Sequence, residues 1–325
     1  MNAIHVDRRT VLRGALACAV LPAARAFAAA PQGFFERHHL PIGLQLYTVG
    51  DAIRRDLDGS LEKIAKIGYH VVEPASYHGV TPKELRAATD RHGLKCTSIH
   101  IGAKASADNP GLDGDLPRLA ADLHTLGVTD VVMPMFVTPD RFGGLKQGEG
   151  FAAYMGRVSA GLTVDDWKRT AAFLNEKGAK LRGEGLRLGY HNHNPEFAPV
   201  GGTTGLEVLL SETSPDAVVF EMDVGWVAAA GVDPVALLKK HGKRFQLMHV
   251  KDIEASTRPN FVLQQDPTEV GSGRLDWPHL LPAAFEAGVR KFYVEQEPPF
   301  KMDRFDAIEK SRRFLTEFGV ERIKA

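Results

Sequence analysis

The sequence predicts a single (β/α)8 (TIM) barrel of the α/β class, and three observations carry that prediction. Short apolar runs alternate eight times with helix-like segments between residues 41 and 325. No linker-like stretch interrupts the alternation, which argues for one large domain. Ionisable residues recur where the apolar runs end, and in a barrel those carboxyl ends of strands carry the active site. An open doubly wound sheet also alternates strands and helices, but no glycine fingerprint follows the first strand.

Residues 1–30 read as an address. Asp7-Arg8-Arg9-Thr10-Val11-Leu12-Arg13 precedes an Ala-rich apolar stretch that ends near Ala26-Phe27-Ala28, the pattern of an export signal. Arg8-Arg9 before Val11-Leu12 resembles a twin-arginine signal, used for proteins exported already folded, so a periplasmic location is expected. The apolar stretch is shorter than the ~20 residues that span a bilayer and is interrupted by Arg25, so stable membrane insertion is not expected. Residues 31–40 read as a linker to the barrel.

The barrel opens with strand Ile42–Tyr47, followed by a helix that closes with Ser60–Ile67 before Gly68. Tyr69–Glu73 is the second strand. Thr81-Pro82-Lys83-Glu84 is a capping box with proline at the first helical position, and its helix stops at His92-Gly93. Leu94–Ile101 is strand three, Leu116–Leu126 its helix and Asp130–Pro134 strand four. Thr163-Val164-Asp165-Asp166 caps a long helix reaching about Arg182. Leu186–His193 and Thr204–Glu212 form the fifth pair, and Val218–Asp223 is strand six, with Asp233-Pro234 starting its helix. Strand Phe245–Val250, helix Asp276–Ala287, strand Lys291–Glu295 and helix Asp303–Phe318 complete the set. Two connections, Met135–Gly161 and Asp252–Arg274, are too long for turns and leave carboxyl ends of strands, as lids or substrate walls do.

Composition narrows the function. The 325 residues are 44% hydrophobic, enough for a real core, with 40 basic and 40 acidic side chains. Without residues 1–30 the balance is 36 basic to 39 acidic, a net charge of −3 that offers nucleic acid no general attraction. An apurinic-site endonuclease, which needs a basic DNA face and a multi-zinc cluster, is thereby disfavoured. Cys18 and Cys96 are the only cysteines, too few for a disulfide scaffold or a zinc-finger array.

Barrel strands are buried on both faces, so ionisable groups on them are costly unless paired, hydrogen-bonded or bound to metal. Strand five ends Tyr190-His191-Asn192-His193, and the two-residue period puts His191 and His193 on one face. Strand six puts Glu221 and Asp223 on one face, strand seven His249 and Lys251, and strand eight Glu295 and Glu297. Two carboxylates ~4 Å apart repel by ~4 kcal/mol at an effective dielectric of ~20 unless a cation lies between them. Two imidazoles and two carboxylates, His191, Asp223, His249 and Glu295, make a mixed set suited to one divalent ion such as Mn²⁺, Zn²⁺, Co²⁺ or Fe²⁺. Gln45, Glu73 and His100, at the ends of strands one to three, are candidates to hydrogen-bond sugar hydroxyls; Trp226, Phe261, Trp277 and Phe300 are candidates to stack on a sugar ring.

Gly43-Leu44-Gln45-Leu46-Tyr47, Tyr190-His191-Asn192-His193, Met222-Asp223-Val224-Gly225-Trp226, His249-Val250-Lys251-Asp252 and Val294-Glu295 together resemble the sugar phosphate isomerase/epimerase family of xylose isomerase-like barrels. The resemblance runs from about Pro41 to the C-terminus. It implies one divalent ion, Mn²⁺ first and Mg²⁺ also admissible, held by Asp223, His249 and Glu295, with His191 where the ketose 3-epimerases of this family carry Glu. Such a site abstracts a proton next to a carbonyl through a metal-stabilised enediolate, with either Glu295 or His193 as base and the other as proton donor, and with Lys251 either near developing negative charge or in a strand-end salt bridge to a neighbouring acid. Glu196 resembles a substrate-binding Glu of those epimerases. The Tyr-His-x-His strand is also similar to the inosose dehydratases, which makes a lyase acting on a keto-sugar or 3-keto-glycoside the alternative. A non-catalytic sugar-binding barrel is a third reading. The expected partner is a small sugar or keto-sugar, unphosphorylated if the protein is exported.

Overall fold

The computed structural model describes residues 32–105 and 110–320. The expected export signal lies outside the described residues. The barrel strands are β1 (Ile42–Gln45), β2 (Val71–Glu73), β3 (Lys95–Cys96 and Ser98–His100, interrupted at Thr97), β4 (Asp130–Met133), β5 (Arg187–His191), β6 (Val218–Asp223), β7 (Phe245–Val250) and β8 (Lys291–Val294). The sheet runs from the first half of β3 through β2, β1, β8, β7, β6, β5 and β4 to the second half of β3, all pairs parallel. Its two ends are thus halves of one stave, and the sheet closes on itself at Thr97. The eight-fold β/α reading holds.

Alternate strand residues point into the barrel. Val132, Val219, Leu247 and Tyr293 fill its waist against Val71. A Cβ on Gly43 would lie 2.5 Å from the Tyr293 ring, so glycine there makes room for the aromatic plug. The other strand face, including Tyr190, Phe220, Met222, Met248 and Phe292, joins the large core beneath the helices. Thr81, Asp115, Thr163 and Thr204 cap the helices they precede by accepting backbone N–H groups. At the amino end of the barrel the buried Asp130 accepts from Arg187 and Lys291, while Lys291 Nζ also donates to Thr97 O at 2.7 Å.

Three segments are more ordered than their sequence suggests. Within the expected linker 31–40, Phe34–Arg37 forms a helical turn whose Phe34 and Phe35 are buried against Phe285, Phe292 and Phe318. The connection after β4 contains a helix, Phe151–Ala160, anchored by buried Met155 and Val158. The connection after β7 pairs Asp252–Ile253 with Pro267–Thr268, and the Asp252 carboxylate accepts from the backbone of Gly271, Gly273 and Leu275 and from Trp277 Nε1. Among the described residues, no helix is long and apolar enough to cross a membrane.

Candidate active site

Strand stagger decides which side chains meet at the carboxyl end. His191 on β5 lies level with Glu221 on β6, whereas His249 on β7 lies level with Asp223 on β6 and Tyr293 on β8. Two tiers result, with His249 in both.

In the lower tier Glu221 Oε2 is a hub, 3.0 Å from His100 Nε2, 3.0 Å from His191 Nδ1 and 3.1 Å from His249 Nε2. Glu73 Oε1 lies 2.7 Å from His249 Nε2 and accepts from Gln45 Nε2 at 2.8 Å. In the upper tier one donor atom each from Asp223, His249 and Glu295 lies within 4.8 Å of the others. His249 Nδ1 is 3.0 Å from Glu295 Oε2, and His191 Nε2 is 3.8 Å from Asp223 Oδ2. Lys251, fully buried, reaches the same oxygens: its Nζ is 2.8 Å from Asp223 Oδ2, 2.7 Å from Glu295 Oε2 and 2.8 Å from Glu297 Oε1. Gly225 permits this, since a Cβ there would fall 2.7 Å from Lys251 Cγ.

Burial penalises every charge in this cluster, and neighbours decide which charges survive. Burial lowers His100 and His249, but Glu73 and Glu221 outweigh it at His100, pushed up to about 9, and Glu221 and Glu295 outweigh it at His249, raised well above the imidazole range. His191 shares Glu221 yet moves the other way: burial and the adjacent His249 hold it well below its ordinary value. Burial and Lys251 bring His193 down to about 3, so it is neutral. Burial raises Asp223 to about 6, with Lys251 opposing, whereas at Glu295 Lys251 and His249 overcome burial and keep the carboxyl well below its usual range.

A cavity of about 400 Å³ opens over this cluster. His100, His191, His193, Glu295 and Glu297 give it polar walls, and Tyr47, Met135, Phe151, Trp226 and Leu263 give it apolar ones. The two long connections therefore do form walls, through Phe151 and Leu263. Of the four expected metal ligands, Asp223, His249 and Glu295 form one donor group, with Lys251 inserted beside two of them, whereas His191 groups with His100, Glu221 and His249 and reaches the first group only through Asp223, at 3.8 Å. His193 and Trp226 border the cavity, and Trp226 Nε1 donates to Glu297 at 3.3 Å. Lys251 does not border the cavity; it is a buried counter-cation. Gln45 and Glu73 are buried behind His249 and away from the cavity wall. Glu196 lies outside the cluster, buried, accepting from Tyr190 Oη at 2.7 Å, and burial raises its carboxyl to about 7. Trp277 is a buried partner of Asp252, and neither Phe261 nor Phe300 borders the cavity. Sequence reasoning placed Glu221 on the inner face but did not single it out as a site residue; its two-residue spacing from Asp223 was the available signal. Tyr47 and Phe151 carried no comparable signal.

The donor set fits a divalent cation. A carboxylate behind each imidazole, Glu73 at His249 Nε2 and Glu221 at His191 Nδ1, leaves the other ring nitrogen directed toward Asp223, as in metal-binding histidines. Asp223 Oδ2 is buried within ion-pair distance of Lys251 but has no hydrogen bond of acceptable geometry, and Glu221 Oε1 and Glu73 Oε2 have no hydrogen-bond partner.

The family model described as xylose isomerase-like TIM barrel matches residues 61–318. A protein named inosose dehydratase from Geobacillus kaustophilus (strain HTA426) is 26% identical over 199 residues, 60% of this chain and 62% of its own length. One of the same name from Lacticaseibacillus casei is 22% identical over 273 residues, 79% of this chain and 87% of its own. The crystal structure of a sugar phosphate isomerase/epimerase from Parabacteroides distasonis ATCC 8503 is 25% identical with a TM-score of 0.66, covering 93% of this chain and all of that one. An L-ribulose 3-epimerase structure, 15% identical with a TM-score of 0.58 over 87% of this chain and 95% of that one, shares the fold. With the closed eight-stave barrel and a matched region covering most of its length, the chain belongs to the xylose isomerase-like TIM barrel family.

Proposed function

We propose that the protein is a metal-dependent enzyme that removes a proton next to a carbonyl of a sugar or keto-sugar, in the manner of a sugar isomerase or epimerase. One observation carries this reading. Glu295 borders the cavity and also belongs, with Asp223 and His249, to the cluster of metal-type donors. Asp223, His249 and Glu295, with His191, would hold a divalent ion, Mn²⁺ first among Mn²⁺, Zn²⁺, Co²⁺, Fe²⁺ and Mg²⁺. Such an ion supplies Lewis acidity toward a carbonyl oxygen.

The chain's own groups do the rest. Glu295 stays ionised near neutral pH because Lys251 and His249 outweigh its burial, so its carboxylate is free of a proton and serves as the base. His193, neutral and on the same wall, donates its N–H to a sugar oxygen, and the proton taken up by the Glu295 carboxylate is returned from that carboxyl to the neighbouring carbon. Lys251 orients Glu295 and Glu297 and offsets their charge. Glu73 and Glu221 hold the imidazoles in place. A second reading, a lyase that expels a β-leaving group after the same proton removal, is supported by the unlike pair of one carboxylate and one imidazole. The relatives named inosose dehydratase also support it. The Arg8-Arg9 signal extends the proposal to an exported, periplasmic enzyme.

The test is to incubate Mn²⁺-loaded protein with keto-sugars and 3-keto-glycosides in D₂O and follow them by NMR. Deuterium should enter next to the carbonyl and stop entering after chelation. Isomers or epimers keep the first reading, and an eliminated product selects the second. Sugar binding without exchange leaves a sugar-binding barrel and overturns both.

A further inference from the structure

Among the described residues the large apolar side chains left exposed are Tyr47, Leu145, Phe151, Val262 and Met302. Scattered exposed apolar residues need no explanation. These are not scattered: each sits on a segment leaving the carboxyl end of a strand, after β1, β4, β7 or β8. Tyr47 and Phe151 are 53% and 60% exposed, and both line the cavity.

Each of the two aromatic side chains is held by structure beneath it. Tyr47 lies in the turn Leu46–Val49, whose Leu46 and Val49 are buried, and its backbone N–H donates to Gln45 Oε1 at 3.1 Å. Phe151 opens the helix anchored by Met155 and Val158. The helix in turn touches the other long connection, since a Cβ on Gly156 would meet Val262 Cγ1 at 3.5 Å. The cavity is therefore polar at its floor and apolar at its rim. Its lining contains no Lys or Arg to receive a phosphate, and Glu295 and Glu297 would repel one.

We infer that the substrate is an uncharged sugar carrying an apolar, aryl-type substituent, with the sugar on the His and Glu floor and the substituent between Tyr47 and Phe151. This rests on the cavity's being the sugar site proposed above. Covering a phenyl ring from water at this rim is worth roughly a tenfold gain in affinity or more.

The test uses full-length Mn²⁺-loaded protein and measures Kd by calorimetry for phenyl and methyl 3-keto-β-D-glucopyranosides, glucose and glucose 6-phosphate. The phenyl compound should bind at least about tenfold tighter than the methyl compound. Phe151→Ala and Tyr47→Ala, on separate segments, should each move that ratio toward one, and Phe151→Leu should restore part of it. Glucose 6-phosphate should bind more weakly than glucose. A ratio near one in the unaltered protein, a ratio untouched by both alanine variants, or preference for the phosphate would each overturn the inference. So would a rim whose alanine variants dissociate a dimer while leaving the ratio intact. If the methyl compound binds and exchanges its α-hydrogen while the ratio is near one, only this inference fails. If neither keto-sugar binds or exchanges, the sugar-enzyme reading fails with it.

Discussion

The two ends of this barrel are both polar, and they are built on opposite terms. At the amino end one acid, Asp130, faces two bases, Arg187 and Lys291, and none of the three keeps a buried polar side-chain atom without a hydrogen bond. At the carboxyl end Glu73, Glu221, Asp223, Glu295 and Glu297 crowd around Lys251 and four histidines, His100, His191, His193 and His249. There Glu73, Glu221, Asp223 and His193 each keep a buried atom without a hydrogen bond. A closed ion network holds strands together, whereas an open one keeps reactive groups available. The difference separates a saturated polar layer from an unsaturated one in a single molecule, and the unsaturated one is where the proposed chemistry lies.

The sharpest way to break that comparison is to neutralise one acid at each end. Glu295→Gln should slow α-hydrogen exchange by about 10³-fold, within the range for loss of a general base. Lys251 keeps Asp223 and Glu297 as partners, so urea unfolding should change little. Exchange near the unaltered rate would remove Glu295 from the chemistry.

Glu196 sharpens the comparison as a buried acid with no cation beside it. Burial raises its carboxyl to about 7, so the folded chain keeps a proton that the unfolded chain loses above the ordinary value of 4.5. Its contribution to stability is complete below that value and is lost as pH rises to about 7, by about 3 kcal/mol. Glu196→Gln keeps an acceptor for Tyr190 and should flatten this slope, making the variant the more stable above pH 7. Parallel pH–stability curves for the two proteins would contradict the assignment.

The smallest effect belongs to the amino end. Asp130→Asn should cost about 2 kcal/mol in urea unfolding, less than for a fully buried pair, because Arg187 and Lys291 can reach water. Exchange per folded molecule should persist. A loss of exchange matching that of Glu295→Gln would show the two ends to be coupled and dissolve the distinction.

Much of the fold was legible because burial on both faces leaves a local mark. Val218–Asp223 and Phe245–Val250 read as strands and are strands, and Leu116–Leu126 is the helix its capping predicts. The candidate ligands were legible for the same reason, since the two-residue period puts His191 with His193 and Glu221 with Asp223 on inner faces. The helix Phe151–Ala160 was not, because its anchors Met155 and Val158 are buried by contacts distant in sequence.

The sequence by itself determined the alternation, the closing number of staves, and which side of each strand carries charge, because these follow from side-chain period and hydrophobic burial along a local stretch of chain. Only the tertiary structure decided the level of each charged group. The stagger of tilted strands sets His191 beside Glu221 and His249 beside Asp223, places Gln45 and Glu73 behind the floor, and threads Lys251 over Gly225 to Asp223 and Glu295, two of the acids expected to hold a metal. Stagger is a property of the closed sheet, and no single strand carries it.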